Sequence, residues 1–222
     1  VRDQLILGAA VGVLAAIAVP RTAAIWTMEP TGRTPNRWLS RTLAGACAAP
    51  VAAALAWRHP PHGSHETLLL TAWLLFTVAG LSLAWIDIVL QRLPTRLIAV
   101  AAAAVAVVLS LAAALAGQPA QLLVPVLAGA VLGSGYTAFV AVGASRMGMG
   151  DVRLAALTGV MLGTGGWATL LLGAVLPYVL SLPIAVAILF QQRQTGEQKP
   201  FPFGPFLIAA TIIADLLTGD PR

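Results

Sequence analysis

Long apolar blocks, separated by short clusters of charged and turn-forming residues, set the rhythm of the chain. Leu97 to Ala116 and Leu122 to Val142 are two such blocks, each long enough to cross a hydrocarbon layer that takes about 20 helical residues. Cutting the chain at its charged breaks predicts eight helical spans, about 4–20, 42–57, 67–86, 97–116, 122–143, 152–164, 167–190 and 204–218. The sixth is short, and Gly163, Gly165 and Gly166 either turn the chain before Trp167 or bend one long helix. The 21–41 segment, with Pro30, Gly32 and Pro35, reads as an irregular loop at the membrane surface. Leu5 to Val19 is of signal-peptide length but lacks a convincing basic segment ahead of it, so it is read as a first membrane helix.

Composition turns this pattern into a fold class. The 222 residues are 59% hydrophobic and 9% charged, where a soluble globular protein carries roughly 25% charged residues. A water-soluble enzyme is excluded, and the expected architecture is an all-α, polytopic membrane bundle forming one domain over 1–222, with membrane lipid as its solvent. The net charge of +5 comes from 13 basic residues scattered between apolar blocks, a distribution that makes no stripe for nucleic acid.

The basic residues carry an orientation signal instead. With eight spans, ten of the 13 fall in or beside loops 21–41, 87–96, 144–151 and 191–203, leaving Arg2, Arg58 and Arg222 opposite. The positive-inside rule makes those loops cytoplasmic and puts both termini outside, as in a multi-pass protein of the inner, cytoplasmic membrane. Cys47 is the only cysteine, which rules out intramolecular disulfides and a cysteine-rich zinc module.

Acidic residues are scarce, and three of the eight, Asp87, Asp151 and Asp215, lie at or within spans. An ionisable group there is expensive and is a functional candidate by default. Asp87 ends the third span, with apolar residues continuing for three positions. Asp151 follows Met147-Gly148-Met149-Gly150 and opens the sixth span, where capping a helix is the bland role. The flanking glycines suit a mobile loop that presents a carboxylate. The eight-span scheme brings Asp87 and Asp151 to the same depth. Two neighbouring carboxylates share a proton, one serving as base on a water and the other as acid, which is peptide-bond hydrolysis without metal or cofactor. Ion-pair and capping roles compete with that reading.

Other chemistries are thinner. His59, His62 and His65 lie in a loop assigned outside, with Glu66 as the only nearby carboxylate, and a solvated loop is favoured over a metal site. Ser134 and Ser181 have no histidine base at suitable depth. Asp215 is read as a boundary residue on the outer side, far from the other two. A small ion- or proton-coupled transporter, binding its cargo through Asp87 and Asp151, is the rival to an enzyme.

At these residues the chain resembles the prepilin peptidases, membrane aspartic proteases that process type IV pilins and pseudopilins. Asp87 with Leu93-Pro94 and Leu97 is similar to that family's first catalytic segment. Gly148-Met149-Gly150-Asp151-Val152-Arg153 resembles its Gly-x-Gly-Asp-x-Lys segment, and Pro202-Phe203-Gly204-Pro205-Phe206 resembles its Phe-Gly-Pro segment. Motifs cover roughly residues 68–217.

The resemblance implies that Asp87 and Asp151 are catalytic, and that Pro94, Gly148, Gly150, Arg153, Phe203, Gly204 and Pro205 support the loop or the substrate. It implies a substrate with a short basic leader and an apolar N-terminal helix, cut between the two at the cytoplasmic face, and a 148–150 loop that moves to join the aspartates.

Two departures narrow the match. Larger members carry cysteine pairs suited to zinc after the first helix and often methylate the pilin. Here the 21–41 loop has no cysteine, which removes the zinc segment and puts methylation in doubt; the chain looks closer to the compact members serving Flp/Tad-type pili. Arg153 replaces the usual lysine, and a guanidinium near Asp151 favours its charged form. Asp151 is thereby read as the base and Asp87 as the proton holder.

Overall fold

The computed structural model describes residues 2–26, 37–142, 148–195 and 201–218. Among these it has eight α-helices: α1 (Arg2–Trp26), α2 (Arg37–Arg58), α3 (Ser64–Leu90), α4 (Thr95–Leu115), α5 (Leu123–Ala141), α6 (Met149–Thr164), α7 (Trp167–Thr195) and α8 (Gly204–Thr218), with a 3-10 turn at Pro119–Leu122 ahead of α5. All eight predicted segments are helical. Four helical stretches are long and apolar enough to cross a membrane, Ser64–Leu90, Thr95–Leu115, Pro119–Ala141 and Trp167–Arg193, while Ile6–Thr22 and Gly204–Thr218 are shorter apolar helices.

Several expected loops are shorter than the charge breaks suggested. Residues 21–26 continue α1 and 37–41 begin α2, where an irregular loop was expected; the rest of that segment, 27–36, lies outside the described residues. Likewise α7 runs on to Thr195 and α3 to Leu90. A charged residue at a helix end costs little when its long side chain reaches the interface, so charge marks where apolar residues stop and not where helical hydrogen bonding stops. The choice at 163–166 resolves as a turn: α6 ends at Thr164, Gly166 takes φ +88°, and α7 starts at Trp167. A left-handed φ is open to glycine without a Cβ clash.

Small residues set the helix pairing. A Cβ added to Gly159 would lie 2.7 Å from the Ala128 carbonyl oxygen, and one on Gly163 would lie 2.6 Å from the Pro125 Cα. Gly159 and Gly163 on α6 thus let α5 pack backbone against backbone, the close approach that drives association where lipid removes the hydrophobic force between helices. Gly8 and Gly12 do the same for α1 against Ala49 of α2.

Bulky side chains fill the centre. Trp73, Phe76, Leu83 and Ile86 of α3 are buried with Leu154, Met161 and Leu162 of α6 and Leu207 of α8. Outward faces remain apolar: Val100, Val107, Val126, Val131, Leu171 and Leu182 are all exposed, as a lipid-facing surface requires. Helix α3 packs against α1, α2, α4 and α8, and its Asp87 end meets the start of α8 at Gly204.

Candidate active site

Asp87 lies in the last turn of α3, 5% exposed. Gln91 stops the helix in a left-handed conformation (φ 52°), returning its N–H to the Asp87 carbonyl oxygen at 2.8 Å. Pro94 then starts α4, its carbonyl oxygen accepting from Leu97 and Ile98; it shapes the turn that follows Asp87.

The Asp87 side chain faces the beginning of α8. Gly204 N–H donates to Asp87 Oδ2 at 3.0 Å, and a Cβ on Gly204 would sit 2.9 Å from that oxygen. Only glycine brings its amide this close without pressing a methyl group on the carboxylate. Pro205, second in α8, has no N–H where the helix would not use one. The Phe203 carbonyl oxygen accepts from Phe206 and Leu207 and closes the first turn. A helix N-terminus with its free N–H groups and positive dipole end thus addresses a buried carboxylate.

Asp151 comes from a separate element. It is the third residue of α6, and its Oδ2 accepts from Gly148 N–H at 3.2 Å while its own N–H returns to the Gly148 carbonyl oxygen at 3.0 Å. Gly148 has no side chain, so this is one half of a reciprocal cap. The expected Gly-x-Gly-Asp loop is therefore not a loop over its whole length: Gly148 caps, and Met149, Gly150 and Asp151 form the first helical turn, because the Asp151 side chain satisfies an amide that helix geometry leaves unpaired. Gly150 serves close packing, since a Cβ there would lie 2.7 Å from the Leu93 Cβ. That contact brings the start of α6 against the turn following Asp87. The two carboxylates, 64 positions apart in sequence, are thereby carried on adjoining helix ends.

Arg153 departs from expectation. Its Nη1 donates to Thr95 Oγ1 at 2.8 Å, and among the described residues it makes no ion pair with Asp151. The guanidinium ties α6 to the start of α4, because a side chain two positions along a helix points away from its neighbour. The assignment of Asp151 as base, which leaned on Arg153, loses that support.

Aromatic rings wall the site. Phe203 has ring centroids 5.6 Å from Tyr178 and 6.3 Å from Tyr136, and Phe201 stacks on Phe206 at 5.4 Å. Tyr136 lies on α5 and Tyr178 on α7. Sequence reasoning passed over both tyrosines; their being the only two in the chain, each inside an apolar span, was the available signal.

The other titratable residues separate from this site. His59 Nε2 stands 2.9 Å from Asp215 Oδ2, with Asp215 fully buried and the His59 ring stacked on Trp73 at 5.9 Å. This corrects two readings: Asp215 is a core residue, and the histidine loop has an aspartate beside it. Folding α8 back across α2 and α3 brings together residues 156 positions apart. Among the described residues no three His, Cys, Asp or Glu side chains converge as metal ligands. Ser134 and Ser181 bond the carbonyl oxygens of Val131 and Tyr178 on their own helices.

A family model described as the type IV leader peptidase family matches residues 73–190, more than half of the chain. No curated protein and no solved structure matches it.

Proposed function

The chain belongs to the type IV leader peptidase family and is an aspartic peptidase acting on prepilin-like substrates; on that premise we propose that Asp87 and Asp151 are its catalytic pair. The observations that carry this reading are the close approach of Gly150 to Leu93, which sets the first turn of α6 against the turn that follows Asp87, and the Gly204 amide held on Asp87.

The chemistry follows from the pairing. One carboxylate, ionised, takes a proton from a water, whose oxygen adds to the scissile carbonyl carbon. The other, protonated, donates to the carbonyl oxygen. Collapse of the tetrahedral adduct breaks the C–N bond, the leaving amine takes a proton from the pair, and water has been divided between the two products. The Gly204 N–H fixes one Asp87 oxygen and leaves the other for this exchange. Gly148 holds Asp151 in the same manner, and Phe203 with Tyr136 and Tyr178 shields the site from bulk solvent. Pro94, Gly150, Pro205 and Arg153 shape the turns and helix ends that carry these groups.

The protein is a multi-pass protein of the inner membrane. In our reading all eight helices cross or enter the bilayer as one domain, the catalytic end faces the cytoplasm, and both termini lie outside, as the charge asymmetry favours. The substrate is cut between its basic leader and apolar helix. Flp/Tad-type prepilins fit a chain without the zinc segment. A transporter needs its carboxylates near the midplane with access to both faces, whereas Asp87 lies three residues from the end of α3.

The test is cleavage of a prepilin-like precursor co-expressed with wild type, Asp87→Asn or Asp151→Asn at matched membrane levels. Loss of the leader with wild type alone is expected. Processing that persists in either folded variant removes that aspartate from the pair.

A further inference from the structure

The Tyr136 hydroxyl is buried and has no hydrogen-bond partner among the described residues. The residue is 5% exposed and lies in the last part of α5, five positions from Ala141. A buried phenolic hydroxyl normally finds a partner, because leaving it unpaired forfeits the bonds it made to water. Phenylalanine would fill the same space in the cluster that holds Val152, Phe203 and Leu207, without that cost. The hydroxyl therefore opposes folding of the free enzyme, and packing does not account for it. Trp73 and Trp85 bury unpaired indole N–H groups as well, but no natural side chain offers their ring without the donor.

Helix register sets Tyr136 level with the start of α6. A Cβ on Gly129 would meet Val160 and the Ala156 carbonyl oxygen, and one on Gly133 would meet Ala156. The two helices therefore run antiparallel, and one further turn puts Tyr136 beside Val152, the neighbour of Asp151. The tyrosine ring reaches towards α7 and α8, packing on Tyr178 and Phe203. Asp151 shares that side of α6: Asp151, Ala155 and Leu162 form one stripe at helical spacing, and Leu162 fills the space in front of Gly173 on α7. Arg153 points elsewhere, to Thr95 at the start of α4. Phe203 in turn precedes Gly204, whose amide holds Asp87. Tyr136 thus stands between the helix end that carries Asp151 and the one that holds Asp87.

A peptide drawn in among these groups brings backbone carbonyl oxygens that lose their water and need donors. Ionised carboxylates only accept, and the Gly204 and Gly148 amides are already spent on Asp87 and Asp151. The Tyr136 phenol is a donor not so committed. We propose that the Tyr136 hydroxyl donates a hydrogen bond to a backbone carbonyl oxygen of the bound substrate, beside the scissile bond. This rests on the peptidase reading above and adds to it a residue that touches the substrate without exchanging its proton. The hydroxyl is unpaired in the free enzyme and satisfied in the complex, so it opposes folding and favours binding.

The test is Tyr136→Phe, which keeps the ring and its packing and removes one oxygen. With a prepilin-like precursor carrying a basic leader and an apolar helix, kcat/KM is expected to fall about 5–150-fold, the range for leaving a buried polar group without its partner. The melting temperature of the detergent-solubilised enzyme is expected to stay the same or rise. Thr137→Val removes a hydroxyl from the next residue, which is exposed and bonded to the Gly133 carbonyl oxygen of its own helix; it is expected to change neither quantity. Cleavage by Tyr136→Phe within about twofold of wild type overturns the proposal and leaves the aspartate pair standing. A melting temperature that falls together with cleavage also overturns it, since the hydroxyl would then have its partner inside the fold.

A second measurement needs no catalysis. In an Asp151→Asn background, adding Tyr136→Phe is expected to raise Kd for the intact precursor by about fivefold or more, and an unchanged Kd overturns the proposal. Failure of wild type to cleave the precursor counts separately, against the peptidase reading.

Discussion

Two buried aspartates meet helix α8 at its opposite ends, and their surroundings differ in one respect. Asp215, near the C-terminal end, is fully buried with its Oδ2 2.9 Å from His59 Nε2, and its carbonyl oxygen accepts from Arg58 Nε at 3.3 Å. Asp87, at the N-terminal end, has a backbone amide and a second carboxylate for company. A carboxylate with a basic partner is committed to the fold, because removing either member strands a charge in a poor solvent. One beside another carboxylate is left able to gain and lose a proton, which is what hydrolysis requires. Burial alone therefore does not single out a candidate for proton transfer; the sign of its neighbour does.

The largest contrast should come from the acid groups themselves. Asp87→Asn is expected to cut the rate of precursor cleavage by about 10²–10⁴-fold, the range for loss of a general acid or base, while its melting temperature in detergent does not fall. Equal losses of activity and thermal stability would erase the distinction between the two ends of α8. His59→Ala should do the reverse, lowering stability by about 3–5 kcal/mol in chemical denaturation as Asp215 loses its partner, with residual folded protein still cleaving. The double variant His59→Phe/Asp215→Leu should recover most of that stability, since an apolar pair needs no compensating charge.

Gly204→Ala sharpens the comparison from the side of α8. The added methyl, 2.9 Å from Asp87 Oδ2, is expected to push the carboxylate out of register and slow cleavage by about 10²-fold, the scale of a misplacement of about 1 Å. A single-turnover assay at saturating substrate separates this from a binding defect. The smallest effect belongs to His65, whose Nδ1 lies 3.2 Å from the Ala112 carbonyl oxygen and links α3 to α4. His65→Phe should cost about 1 kcal/mol of stability, the usual net worth of one hydrogen bond, measurable as a shift in denaturation midpoint.

Hydropathy marked all eight helical segments, because the cost of exposing a peptide group to lipid is settled within each segment. It misjudged helix ends at Trp26, Arg37 and Thr195, where helical hydrogen bonding continues into polar sequence. The Asp87 and Asp151 segments were legible from scarcity and local motif. Other contributions were not legible, since each rests on a partner far along the chain: the Gly204 amide on Asp87, Gly150 against Leu93, Tyr136 beside Phe203, and His59 on Asp215. Arg153 shows the same limit from the opposite direction. Its closeness to Asp151 in sequence suggested an ion pair, and its direction on the helix gave it to Thr95 instead.

The sequence by itself determined the solvent, the helices, and which carboxylates stand at apolar boundaries, since transfer energies and helical hydrogen bonds are summed over neighbouring residues. Tertiary structure alone decided that Asp215 would be paired with His59, that α8 would aim its N-terminus at Asp87, and that Tyr136 of α5 would pack on Phe203. Those outcomes depend on where helices cross, and crossing is set by the fit of small residues such as Gly159 and Gly163 against a partner helix, a quantity that neither helix contains alone.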